Sequence, residues 1–314
     1  MLAPVPETNN AFTSAPRDST LTKIIAGMSA SWRQVLGNVE LPPDDGRAIA
    51  KILDEGGTVQ MWSDGTVKNG IGAHAYTLRT QCEDHEDAIL GDASTPGNPN
   101  DISSPRPESD GGLACMIMTW AIEYKYETSG GYILLHIDNE EVVNRLKYGV
   151  PDAMAAKKST KTDFDVWFES SKLASHLKST VYAKWVKGHQ DKYIEGVYAG
   201  IGPISLEAKF NILMDRLAER RRVGSNITLH TIPFKTERAT LVVAESIVTT
   251  KISDYITYAK TAPPMITYIR EKNDWSTATF HKVDWDAMDR YMGKLSAATR
   301  AKVVAALNFP MYLH

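Results

Sequence analysis

Between Thr58 and Arg222 the hydrophobic and polar residues change period several times, and each change marks an element. Thr58 to Asp64 (TVQMWSD) has a strand's composition, and Asn69-Gly70 gives a turn before Ile71 to Thr80, where Ile71, Ala73 and Ala75 alternate with Gly72, His74 and Tyr76. That spacing predicts a hairpin. A third short strand is expected around Asp87 to Leu90, and the stretch STPGNPNDISSPRP after it is too rich in Pro, Gly, Ser and Asn for regular structure. From Glu108 the period lengthens. Leu113, Met116, Ile117, Trp120, Ala121 and Tyr124 fall at i, i+3, i+4, i+7, i+8 and i+11, the stripe of an amphipathic helix. Ser129-Gly130-Gly131 ends it. Tyr132 to Asp138 (YILLHID) is then a near-continuous apolar run of the kind that fills a central strand. Asn139 can cap the next helix, NEEVVNRLK, which turns Val142, Val143 and Leu146 inward. Another helix is expected over Asp163 to Leu177, then a strand over Thr180 to Val186, and a last helix from Leu206 to Arg220.

That last helix has two stripes. Leu206, Phe210, Leu213 and Leu217 form one, while Ala208, Asn211, Asp215 and Ala218 form another that is entirely small or polar. Small residues let a helix approach a sheet closely, so an Asp among them is carried toward the sheet rather than into water.

The flanks read differently. The chain opens on a Pro, Thr, Ser and Asn-rich segment whose first twenty residues are expected to be disordered, and helical patterning runs from Thr20 to Gly37. After Arg222, LHTIPF and ATLVVAESIVTT are expected to form a short β pair, followed by helical stretches through ISDYITYAK, DWDAMDRYMGKL and SAATRAKVVAAL. The expected organisation is therefore an N-terminal extension (1–57, partly disordered), a central domain (58–222) and a small β plus helical module of unknown role (223–314).

Composition narrows the class. The 314 residues are 43% hydrophobic, enough for a packed core, and no run approaches the roughly 20 apolar residues of a membrane helix. With no charged-then-apolar leader pattern, the expectation is an intracellular protein with no membrane partner, nucleus or cytoplasm left open. Cys82 and Cys115 lie far apart without close Cys or His neighbours, so no zinc site or disulfide framework is legible. A net charge of −3 does not advertise a nucleic-acid binder; the tail from 223 onward has eleven basic against eight acidic residues, which permits such contact without requiring it.

Four carboxylates occupy positions that only a fold could bring together. Asp64 ends a strand, Glu108 opens a helix, Asp138 ends another strand and Asp215 lies in the last helix, with His189 in the loop of KWVKGHQDK. Hard oxygen ligands suit magnesium-type ions, and a metal pair stabilises both the entering and the leaving oxygen of an in-line phosphodiester displacement. Taken singly, each residue has a structural explanation. An Asp-Gly after a strand makes a turn, a Glu in a first helical turn answers the helix dipole, and His74 and His136 within strands suit packing or hydrogen bonding. Asp110 and Glu123 compete with Glu108 as the helix ligand.

The ordered set SDGT, SSPRPES, HIDNEEVV, WVKGHQD and NILMDRLAE resembles the ribonuclease H type 1 family, of the kind carried by retroelement reverse transcriptases, over about Thr58 to Arg222. The resemblance implies an α/β ribonuclease H-like fold, a mixed five-stranded sheet flanked by helices, here with a mainly helical C-terminal extension. It also implies endonucleolytic hydrolysis of the RNA strand of RNA–DNA hybrids with two Mg2+ ions, Mn2+ serving as a substitute, held by Asp64, Glu108, Asp138 and Asp215 roughly 3.5 to 4 Å apart. His189 would be the mobile catalytic histidine. The basic substrate-gripping insertion of some cellular enzymes is represented at most by Lys157, Lys158 and Lys161. No aromatic-x-Asp-Asp hairpin occurs, because Asp44-Asp45 follows two prolines in a loop, so a polymerase domain would be a separate partner. The alternatives are a non-catalytic RNA or hybrid binder keeping the fold, and a recombinase of the same superfamily.

Overall fold

The computed structural model describes residues 12–80, 88–97, 102–148, 162–188, 205–224, 230–234, 241–243 and 246–284, with four isolated residues beyond. Cys82, His189 and the Lys157, Lys158 and Lys161 group lie outside the described residues. The chain forms two compact units, 1–252 and 253–314.

The first unit is built on a six-stranded mixed sheet ordered β1-β4-β3-β2-β5-β6. β2 (Thr58–Lys68), β3 (Ile71–Arg79) and β4 (Ile89–Thr95) form an antiparallel meander, and β5 (Tyr132–Ile137) and β6 (Thr180–Trp185) add in parallel on the other side of β2. These five strands follow the expected order. The sixth, β1 (Asn38–Glu40), comes from the N-terminal extension and pairs antiparallel with β4, covering an edge that would otherwise be open. β4 runs to Thr95, past the expected end at Leu90, because β3 partners it through Gly72↔Thr95.

Four described helices precede β5. α1 (Leu21–Ala26), α2 (Ala30–Leu36) and α3 (Arg47–Asp54) lie in the extension, and α4 (Pro105–Tyr126) follows β4. The helical pattern of 20–37 is split in two, with Thr20 and Ser29 each capping a helix. The Asp44-Asp45 pair does capping work as well. Asp44 Oδ2 accepts Ala48 N–H at 2.7 Å, and Asp45 accepts Leu21 N–H at 3.2 Å. Residues 12–20, expected to be disordered, are ordered, since Phe12 stacks on Trp32 with ring centroids 4.6 Å apart and Thr13 bridges Met28.

Leu21, Ile24, Leu36, Ile49 and Leu53 are buried in the same core as Val59, Met61, Leu113, Ile117 and Ile133. The extension therefore closes the core of the sheet's α4 side. It also changes the character of α4, which the stripe predicts to be amphipathic but which is buried from Arg106 to Tyr124 on every face. A helix buried around its whole circumference needs cover on every side, and the sheet, the helix over Phe164–His176 and α1 to α3 supply it together.

The remaining helices of this unit are α5 (Glu140–Tyr148), α6 (Phe164–His176) and α7 (Leu206–Val223). The α7 packing separates the two faces of the sheet. Trp62 and Ala75 meet Phe210, Met214, Leu217 and Ala218, whereas Val59 and Met61 point to the α4 side. Ala208, Asn211 and Ala218 of the small stripe are buried, and so are Phe210 and Leu217 of the large one, while Leu206 at the helix start is exposed.

A two-residue hairpin, β7 (Val242–Val243) with β8 (Ser246–Ile247), ends the unit, both strands lying within ATLVVAESIVTT rather than one in LHTIPF. The second unit contains α8 (Ile252–Lys272), which continues through Pro263 and Pro264, and α9 (Thr277–His281). No helix among the described residues is long and apolar enough to cross a membrane.

Candidate metal centre

Asp64 is the seventh residue of β2, Asp138 follows directly on β5, and β2 and β5 are parallel neighbours. The two carboxylates therefore emerge side by side. Glu108 reaches them from the first turn of α4, which a close backbone approach makes possible. A Cβ on Gly65 would stand 2.4 Å from the Glu108 amide nitrogen, and one on Gly111 would stand 3.0 Å from Ser63 Cβ. Only glycine at 65 lets the helix terminus sit on the strand.

Asp64, Glu108 and Asp138 each offer an oxygen within 4.8 Å of the others', an arrangement that could hold a metal ion. Asp64 and Glu108 are buried and Asp138 is half-buried. Asp215, half-buried on α7, is not among these three, yet its charge is one of the influences on Asp64. The backbone leading to His189 passes close by, since a Cβ on Gly188 would stand 2.3 Å from Asp138 Oδ2.

Of the competing helix acids, neither joins the cluster. Glu123 is tied to the turn before β6, accepting Lys178 N–H at 2.9 Å and Ser179 N–H at 2.8 Å. Asp110 lies among Arg106, Asp163 and Asp165. Arg106 is 1% exposed and anchors the start of α4, donating to Pro96 O at 3.0 Å, to Asp163 Oδ1 at 3.3 Å and to Asp165 through both terminal nitrogens at 3.0 and 2.8 Å. This clamp joins the α4 and α6 termini and sets where Glu108 begins. The sequence shows an arginine between two prolines; its partners lie 57 and 59 residues away, which no local pattern reveals.

Burial raises the Asp64 carboxyl well above the usual carboxylate range, and repulsion from Asp138 and Asp215 adds to it; Glu108 is raised by burial and then by Asp64 and Asp138. Asp64 Oδ1 accepts the Gly65 N–H at 2.7 Å, but Asp64 Oδ2 and Glu108 Oε2 are buried without a donor. Hard anionic oxygens lacking donors and repelling one another fit a divalent cation, which would neutralise the charge and satisfy the oxygens together.

A pH dependence follows. Asp110 is pushed up to about 7 by burial, and with Asp64 and Glu108 also raised, the folded chain binds more protons than the unfolded chain above the ordinary carboxylate range. The stability owed to these three carboxyls therefore falls as pH rises from about 4 toward 7, while His74 and His136, each lowered to about 4 by burial, contribute the opposite slope. Thermal melts in chelator should show this decline in the parent relative to Asp110→Asn, which keeps both histidines, and divalent cation should remove the share owed to Asp64 and Glu108. A parent melting temperature that rises relative to the variant's across the window in chelator would contradict it.

The two strand histidines have structural roles. His74 hydrogen-bonds Thr95 Oγ1 at 3.0 Å and Val35 O at 2.8 Å, and burial lowers it to about 4. His136 pairs with Gln60 Oε1 at 2.8 Å and stacks on Trp62. Cys115 is buried, and burial pushes its thiol up, so it is inert.

No family model and no curated protein matches the chain. Solved structures similar to it include the N-terminal RNase H domain of a Mycobacterium tuberculosis protein, at 14% identity and TM-score 0.33, covering 53% of this chain and 94% of that one. The prototype foamy virus protease-reverse transcriptase is similar at 16% identity and TM-score 0.39, covering 54% of this chain and 21% of that one. RNase H1 from Halobacterium salinarum is similar at 13% identity and TM-score 0.34, covering 54% of this chain and all of that one. An antiparallel β2-β3-β4 meander, β5 and β6 added in parallel, and α4 and α7 on opposite faces give the chain a ribonuclease H-like fold with a buried acidic cluster that could hold a metal ion.

Proposed function

We propose that this chain hydrolyses the RNA strand of RNA–DNA hybrids with bound Mg2+, Mn2+ serving as a substitute. The observation that carries the reading is the convergence of Asp64, Glu108 and Asp138, two of them buried with oxygens that lack donors. In this reading the three residues hold the metal, and Asp215 from the facing helix completes the set for a second ion. The ions would stabilise charge on the entering and leaving oxygens of the phosphodiester. His189, beyond Gly188 at the Asp138 carboxylate, moves a proton or aids release of product. Selectivity for hybrid comes from groove shape and 2′-hydroxyl contacts rather than base edges. Residues 58–222 are the catalytic unit, of retroelement descent, acting beside a separate polymerase domain.

Labelled hybrid incubated with the full chain tests this. RNA cleavage to 5′-phosphate and 3′-hydroxyl products is expected with Mg2+ or Mn2+ and none with chelator, while the DNA strand stays intact. Intact RNA at high concentration of folded chain sinks the nuclease reading, and hybrid binding without cleavage would instead favour a non-catalytic binder.

A further inference from the structure

Trp185 ends β6 with 50% of its surface exposed, although it stands beside the carboxylate cluster. It is level with Ile137 in the β5–β6 register, and its indole Nε1 donates to Asp138 O at 2.9 Å. The next residue, Val186, is buried, and its N–H donates to Ile137 O at 3.0 Å. The backbone here is thus held to β5 while the ring stays in solvent. The hydrogen bond fixes the ring to the residue that supplies one of the three converging carboxylates. With its one polar atom satisfied, the indole presents only an apolar face.

Electrostatics leave a use for that face. Metal held by the three carboxylates would attract a phosphodiester, but it would not set how the sugar beside that phosphate lies. Aromatic stacking does not depend on charge. Within a duplex the bases remain stacked on one another, so a ring at the protein surface meets a sugar. We infer that Trp185 positions the substrate, its exposed face packing on the sugar of the nucleotide whose phosphate enters the Asp64, Glu108 and Asp138 cluster. The identity of the ligand rests on the nuclease reading.

The test compares Trp185→Ala and Trp185→Phe in the full chain. Hybrid affinity is read by anisotropy in an Asp64→Asn background, and KM and kcat are read in the parent. Trp185→Ala is expected to weaken binding and raise KM about tenfold, the low end for loss of one aromatic platform, with the loss in KM rather than kcat. The slope of affinity against salt should not change, because no charge is removed. Trp185→Phe lacks the indole N–H but keeps an aromatic face, and should stay within about threefold of the parent. If Phe is as impaired as Ala, the hydrogen bond to Asp138 matters rather than the face, and the inference is wrong. It is equally wrong if Ala matches the parent. Failure of the nuclease reading looks different: the parent leaves RNA intact while hybrid binding still separates Ala from Phe. A parent that binds no hybrid overturns both.

Discussion

Asp64→Asn and Asp138→Asn should each reduce hybrid cleavage by at least about a thousandfold, since several kcal/mol of charge stabilisation are lost and each 1.4 kcal/mol is tenfold in rate. The amide keeps the shape of the carboxylate and removes its charge. Stability should move the other way. Asp64 is raised by burial and by repulsion from Asp138 and Asp215, so in chelator Asp64→Asn should melt above the parent. Glu108→Gln should behave alike, because burial, Asp64 and Asp138 raise it too. The opposite signs separate a functional site from a structural one, since a structural carboxylate would lose stability on neutralisation. Variants that cleave near the parental rate would refute the metal assignment, and variants that melt far below it would show that the cluster supports the fold.

Arg106→Leu is the largest expected loss of stability, about 3–5 kcal/mol, because a buried ion pair broken on one side leaves uncompensated charge in the interior. Three acids depend on this arginine: Asp163 and Asp165 by direct bonds, and Asp110 through its charge. Asp110 has both carboxylate oxygens buried without a donor and would lose the guanidinium charge that offsets its own. The clamp also begins the helix that carries Glu108, so cleavage should fall further than the unfolded fraction accounts for. Urea denaturation of parent and variant checks it, and a loss below about 1 kcal/mol would show that the clamp is dispensable.

How far the site was legible differs from residue to residue. Asp138 follows the end of β5 as expected, but Asp64, expected to end its strand, is the seventh of eleven residues in β2, which runs on to Lys68 as the hairpin partner of β3; parallel pairing of β2 with β5 still brings the two acids together. Asp215, expected to face the sheet from the small stripe of α7, is half-buried and lies outside the group formed by Asp64, Glu108 and Asp138. Glu108 was not separable from Asp110 and Glu123 by pattern. All three are buried on one helix, and what distinguishes them is their neighbours: Asp64 and Asp138 for the first, Arg106 for the second, and the Lys178 and Ser179 amides for the third. The sixth strand escaped notice because β1 is three residues long and exists only where β4 offers an edge.

By itself the sequence determined the element order from β2 to α7, the hairpin at Asn69-Gly70, the central apolar strand and the acid that follows it. Each of these follows from interactions within a few residues, which periodicity records. Tertiary structure alone decided that the sheet, α6 and the N-terminal helices together bury every face of α4, that Gly65 admits the helix start, that Arg106 clamps it through Asp163 and Asp165, and that Glu108 is the helix acid facing Asp64. Those outcomes depend on groups far apart in the chain, whose proximity is set by packing the core, and no local pattern encodes them.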